Sequence, residues 1–198
     1  MSPSNANLVW VAVGLAAIAL VLSIVSLARG GGGPLPTAGP IASAPFASGA
    51  GAAPDISNMS PRERADRLFN RIMSAHERGD GGETAQFREM AIQAYGLLGG
   101  LDDDARYHVG LIHAVTGDLQ SAEAQADTLL ANTPDHLLGL MLRNTVGQMT
   151  DDQATVTATY QAFLGAFDRE VATGKQEYSD HGTALENFRR DAEVGTGG

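Results

Sequence analysis

Between Asp104 and Pro134 the chain reads DARYHVGLIHAVTGDLQSAEAQADTLLANTP, two amphipathic helical patterns that meet at Gly117-Asp118. Apolar residues recur at helical spacing on both sides of that turn, and a Gly-Asp pair is a strong break between them. Gly110 inside the first pattern and Ala122 inside the second let two helices approach closely, and Pro134 closes the unit. A lone hairpin of this kind cannot bury its apolar face, so it needs neighbours stacked on it. The expected fold class is therefore all-α. A stack of hairpins offers surfaces for binding rather than groups for chemistry.

The flanking sequence supplies the neighbours. Ser60-Pro61-Arg62-Glu63 is a capping box with proline at the first helical position. The spacing predicts a helix from there to about Arg78, with Ala65, Leu68, Phe69, Ile72 and Ala75 inward and Gly79-Asp80-Gly81-Gly82 as its stop. A second helix is predicted from about Glu83 to Leu98, with Phe87, Ala91, Ala94 and Leu98 on one face and Gly99-Gly100 after it. Asp102 to Asp104 offer caps for the central unit, which is expected to bury Val109, Ile112, Ala122, Ala126 and Leu129, with His113 at the core edge. Asp135 is the expected cap of the next helix, LLGLMLRNTVGQM. After Thr150-Asp151-Asp152, the residues Val156, Tyr160, Phe163, Phe167 and Val171 continue at helical spacing. A last helix, roughly Asp180 to Val194, places His181, Leu185, Phe188 and Ala192 on one face, and its charged outer face (Glu186, Arg189, Arg190) suits an end cap.

The turns at Gly79-Asp80, Gly117-Asp118 and Asp151-Asp152 lie 38 and 34 residues apart, and about 34 is the tetratricopeptide period. Val109-Gly110, His113, Gly117-Asp118, Ala122 and Pro134 fall where that family has large apolar, small, aromatic, turn, small and proline positions, so residues 60–172 resemble a short tetratricopeptide stack. Arg106, Ala126 and Leu129 depart from the pattern. The resemblance implies that the first helix of each unit lines a concave groove, with Phe69, Met73, Tyr107, Leu111, Leu138 and Met141 towards it. Such side chains suit an apolar segment or amphipathic helix of a partner. The alternative is a short stack that closes on itself, with these six as core.

Upstream, Leu8 to Ala28 is a run of 21 residues without a charge, and about 20 apolar residues cross a bilayer as a helix. The leader Met1 to Asn7 has no basic residue and the run exceeds a signal peptide's core, so an uncleaved single-pass anchor is expected. Ala12, Ala16, Ala19, Ser23 and Ser26 form a stripe of small side chains in it, suited to packing against another membrane helix. Residues 29–58, rich in Gly, Pro and Ala, read as a flexible tether with a coil span on the order of 30 Å. The helical domain is expected over residues 59–194, with a tail at 195–198.

Composition narrows the function. Net charge is -10 with a single lysine, Lys175, which excludes nucleic acid as a natural partner. The absence of cysteine excludes disulfides, thiolate metal sites and covalent c-type haem. Among the five histidines, His108 and His113 are five apart and diverge around a helix, so the histidines read as surface or core-edge residues. Asp102-Asp103-Asp104 lacks the spacing of a calcium loop and reads as a helix cap. No catalytic residue, metal or cofactor is expected. The sequence points to a membrane-anchored protein–protein interaction module, an accessory, assembly or stabilising subunit of a larger bacterial membrane complex such as an electron-transfer, photosynthetic or cytochrome-maturation assembly. The alternative is a transient periplasmic adaptor or chaperone-like protein. The expected location is the bacterial inner membrane with the helical domain in the periplasm; Arg29 alone favours the cytoplasmic side.

Overall fold

A computed structural model describes residues 59–197 as eight helices: α1 (Pro61–Glu77), α2 (Gly81–Gly96), α3 (Asp103–Val115), α4 (Leu119–Asn132), α5 (Leu137–Met149), α6 (Gln153–Val171), α7 (Gln176–Asp180) and α8 (Gly182–Gly195). The expected membrane segment 8–28, its small-residue stripe and the tether 29–58 lie outside the described residues. Among the described residues no helix is long and apolar enough to cross a membrane.

Helices α1/α2, α3/α4 and α5/α6 form antiparallel pairs across tight turns. Each turn is built the same way. Gly79, Gly117 and Asp151 take positive φ of 72°, 83° and 57°. The N–H of the following aspartate then donates to a carbonyl five residues back, Asp80 to Ala75, Asp118 to His113 and Asp152 to Gly147, at 2.8 to 2.9 Å. The same aspartates cap the next helix, accepting from the backbone N–H of Glu83, Ser121 and Thr155. One two-residue device therefore both ends a helix and starts its antiparallel partner. At the head of the domain the Ser60–Glu63 capping box forms in both directions.

The pairs pack in chain order, α3 against α1 and α2, then α5 against α3 and α4, and α8 lies against α6. Small residues set how closely the layers approach. A Cβ on Gly110 would run into the Leu142 side chain of α5 and lie 3.3 Å from Gln125 of α4. A Cβ on Gly139 would lie 3.0 Å from Leu129 and Leu130. The core runs through all three pairs and centres on Ile72, Tyr95, Ile112, Leu129, Leu138, Leu142 and Phe163.

Three expectations are corrected. The cap of α5 is His136, whose side chain accepts from Gly139 N–H, while Asp135 faces outward and pairs with Arg169 at 2.6 Å. The last helix, α8 (Gly182–Gly195), forms close to its expected bounds, but a short helix, α7, precedes it across His181 where none was expected. On α6, Tyr160 is half-buried and Val171 is exposed, and Thr159 and Glu170 face inward with Phe163 and Phe167.

Gly110→Ala is expected to lower the unfolding free energy by about 1–3 kcal/mol through overpacking, against a helix-propensity gain of about 1 kcal/mol. Asp151→Gly, which relieves a left-handed aspartate, is expected to raise it by up to about 1 kcal/mol. Chemical denaturation of the two variants checks both, and a stabilised Gly110→Ala would mean that the layers have room to spare.

Candidate functional site

The N-terminal ends of α1, α3 and α5 converge on one side of the stack, where polar side chains gather. Asp102 caps α3 and accepts from Ala105 N–H at 2.7 Å. Asp103 and Asp104 follow in the first helical turn, where the partial positive charge of the helix end favours carboxylates. Arg62, in the first turn of α1, spans the gap. Its Nε donates to Asp66 at 3.0 and 3.1 Å, one terminal nitrogen donates to Asp102 at 2.9 Å, and the other to Asp104 Oδ2.

Behind this surface lies a buried layer. Tyr95 Oη donates to Asp66 at 2.7 Å and also stands 2.9 Å from His108 Nδ1. The His108 ring stacks on Phe69 with centroids 3.9 Å apart and meets His181 edge-on at 5.2 Å. His181 Nε2 donates to Asp104 Oδ1 at 2.7 Å, and His108 Nε2 lies 3.8 Å from the same oxygen. Asp104 and His181 are 77 residues apart in the chain. Their contact, with Tyr107 edge-on to His181 at 5.2 Å, brings the junction of α7 and α8 back onto α3.

A second node lies beside the first. His136 is fully buried, with Nδ1 accepting from Gly139 N–H at 3.4 Å and Nε2 facing Glu177 at 3.4 Å and Asp103 at 3.6 Å. Tyr178 Oη accepts from Leu137 N–H at 3.2 Å and donates to Glu170 at 3.1 Å. The segment from Lys175 to His181 is thus pinned across the first turns of α3 and α5.

This segment helps decide the fate of the six expected groove residues. Phe69, Met73, Tyr107, Leu111, Leu138 and Met141 are all buried, none more than 5% exposed, and all belong to the central core. The expected open lining is interior. The C-terminal segment covers part of this side, with His181 edge-on to Tyr107. Leu111→Ala is accordingly expected to cost about 2–5 kcal/mol of stability by creating a cavity, measurable as a large fall in Tm; an unchanged Tm would place the residue at an open surface.

The histidines also differ from expectation. His108, His136 and His181 are buried rather than at the surface or core edge. His108 and His113 do diverge: His113 stands with Asp118 and Arg88 at the turn after α3. The spacing of four between Asp104 and His108, which puts both on one helix face, was readable in the sequence. The arrival of His181 was not. The Asp102 cap agrees with the sequence, while Asp104 does more than cap.

Among the described residues a cleft of about 440 Å³ is walled by Arg143 paired with Glu123 and Asp127. No protein-family profile, curated protein or solved structure matches the chain.

The polar layer makes stability depend on pH. Burial opposes ionisation of Asp66, but hydrogen bonds from His108 and Tyr95 and the neighbouring positive charges hold it below the ordinary 3.8. Asp104 is held below 3.8 in the same way by His181, His108 and Arg62, against its burial. For His136, burial and then the Lys175 charge outweigh Asp103 and Glu177, so its protonated form is disfavoured relative to the ordinary 6.5. In each case the unfolded chain binds the proton more readily, so the stabilisation is full above the unfolded value and is lost as pH falls towards the folded one. Tm is therefore expected to fall on acidification in two stages, from 6.5 downward through His136 and from 3.8 downward through the aspartates. Asp66→Asn should flatten the lower stage; a Tm that rises with acid would contradict the assignment.

Proposed function

We propose that this chain is a membrane-tethered protein-interaction subunit, its helical domain a short tetratricopeptide-like stack that assembles with or stabilises a larger bacterial membrane complex. The three turn-and-cap units support the repeat reading, and the uncharged run Leu8 to Ala28 with its Gly/Pro/Ala tether supports the anchoring. The inner membrane with the domain on the periplasmic side is the location that fits best.

The observation that carries the binding reading is on α2. Gln86, Met90, Gln93 and Leu97 recur at spacings of four, three and four on its outward face and are all exposed, Met90 at 53% and Leu97 at 81%. Two apolar side chains stand among amides here, with Glu89 alongside accepting from Gln93 at 3.2 Å, on a chain of net charge -10. The helix spacing matches what a partner helix packs against. Because the stripe lies outside the core, it remains accessible while the six concave residues are buried.

Mild detergent extraction from native membranes, followed by mass spectrometry, tests the proposal. A stoichiometric companion is expected with the unaltered chain. Met90→Ser combined with Leu97→Ser should release it while shifting stability by no more than about 0.5 kcal/mol per site, as exposed substitutions do. Recovery of the unaltered chain as a lone monomer would contradict the subunit reading, and retention of the companion by the double variant would move the contact off α2.

A further inference from the structure

Asp104, His108 and His181 each offer one ligand atom within 4.8 Å of the others, in a setting where both histidines are nearly closed to solvent. The hydrogen bonds around them are incomplete. The Asp66 carboxylate can only accept, so the proton between it and Tyr95 belongs to the phenol, and Tyr95 Oη must in turn accept from His108 Nδ1–H. That assignment leaves the Nε2 lone pair of a neutral His108 facing Asp104 Oδ1 at 3.8 Å, an acceptor opposite an acceptor. His181 commits Nε2 to Asp104, and its Nδ1 is buried without a hydrogen-bond partner.

The charges are unbalanced too. Asp66, Asp102 and Asp104 face one guanidinium, Arg62, so the cluster with neutral imidazoles carries two negative charges in excess. Two protons, or one divalent cation, restore the balance. The neighbouring group of Asp103, His136 and Glu177 has the opposite arrangement. There Nδ1 is already the acceptor of Gly139 N–H, so Nε2 carries the proton and donates to the acids, leaving no lone pair for a metal.

We propose that Asp104, His108 and His181 form a binding site for a divalent transition metal of the zinc class, two imidazoles and one carboxylate. Bonds of about 2.0–2.2 Å at tetrahedral angles put ligand atoms roughly 3.4 Å apart, between the 2.7 and 3.8 Å found here. Arg62 on Oδ2 and Tyr95 on His108 Nδ1 orient the ligands from outside, as outer-shell partners do. The metal would clamp the C-terminal segment onto α3, and the fourth position is left to water.

Zinc titration of the full-length chain in detergent, after chelator treatment and with a chromophoric competitor, tests the site. One Zn²⁺ per chain is expected, with a higher Tm and weaker binding at lower pH, because protons compete for the imidazoles. His181→Gln, which keeps a donor for Asp104, should weaken binding more than the about 10–100-fold that loss of an outer-shell partner causes. His136→Gln should leave it unchanged. No Zn²⁺ bound, or unaltered binding by His181→Gln, would overturn the proposal. If His181→Gln fails to fold, imidazole ¹⁵N signals of the unaltered chain decide: Zn²⁺ must move those of His108 and His181 and not His136, and any other pattern overturns it.

Discussion

The Asp104 carboxylate is the point at which the chain closes. One of its oxygens takes Arg62 from α1 and the other takes His181 from the junction of α7 and α8. Three segments far apart in sequence therefore meet on the first turn of α3. Each group alone would be costly to bury, because an unpaired charge or donor in the interior loses its hydration without return. Together they offset part of that cost, and removing any one leaves its partners with less compensation. That asymmetry ties the C-terminal segment to the stack.

The need for such a closure follows from size. Three helix pairs present their first helices on one side, and the residues there, Phe69, Tyr107, Leu111, Leu138 and Met141, are large and apolar. The C-terminal segment covers that side, with Tyr107 against His181 and Tyr178 against the start of α5. The outward stripe on α2 lies outside this core, with Met90 and Leu97 exposed.

The local parts of this architecture were legible in the sequence. The capping box at Ser60, the Gly-Asp and Asp-Asp turns and the close-approach glycine at Gly110 each act within a few residues or one helix packing, and each appears where the pattern placed it. The losses are all long-range or competitive. Asp135 and His136 both suit a helix start, and His136 wins because its ring also reaches Glu177, 41 residues away. His181 separates the unexpected α7 from α8, with its ring held on Asp104 and Tyr107, contacts that no local spacing reports. The concave residues have the same composition whether a groove is open or filled, so periodicity alone left both readings standing.

Closure by the C-terminal segment makes that segment part of one cooperative unit with α3, which amide hydrogen exchange on the full-length chain reads directly. The amides of Tyr178 and His181, bonded to Lys175 and Glu177 carbonyls in a helix of five residues, are expected to exchange as slowly as those of Leu111 and Ile112, through global unfolding. Fast exchange of α7 while α3 stays protected would mean that the segment leaves the stack on its own, and the account of a closed concave side would fail.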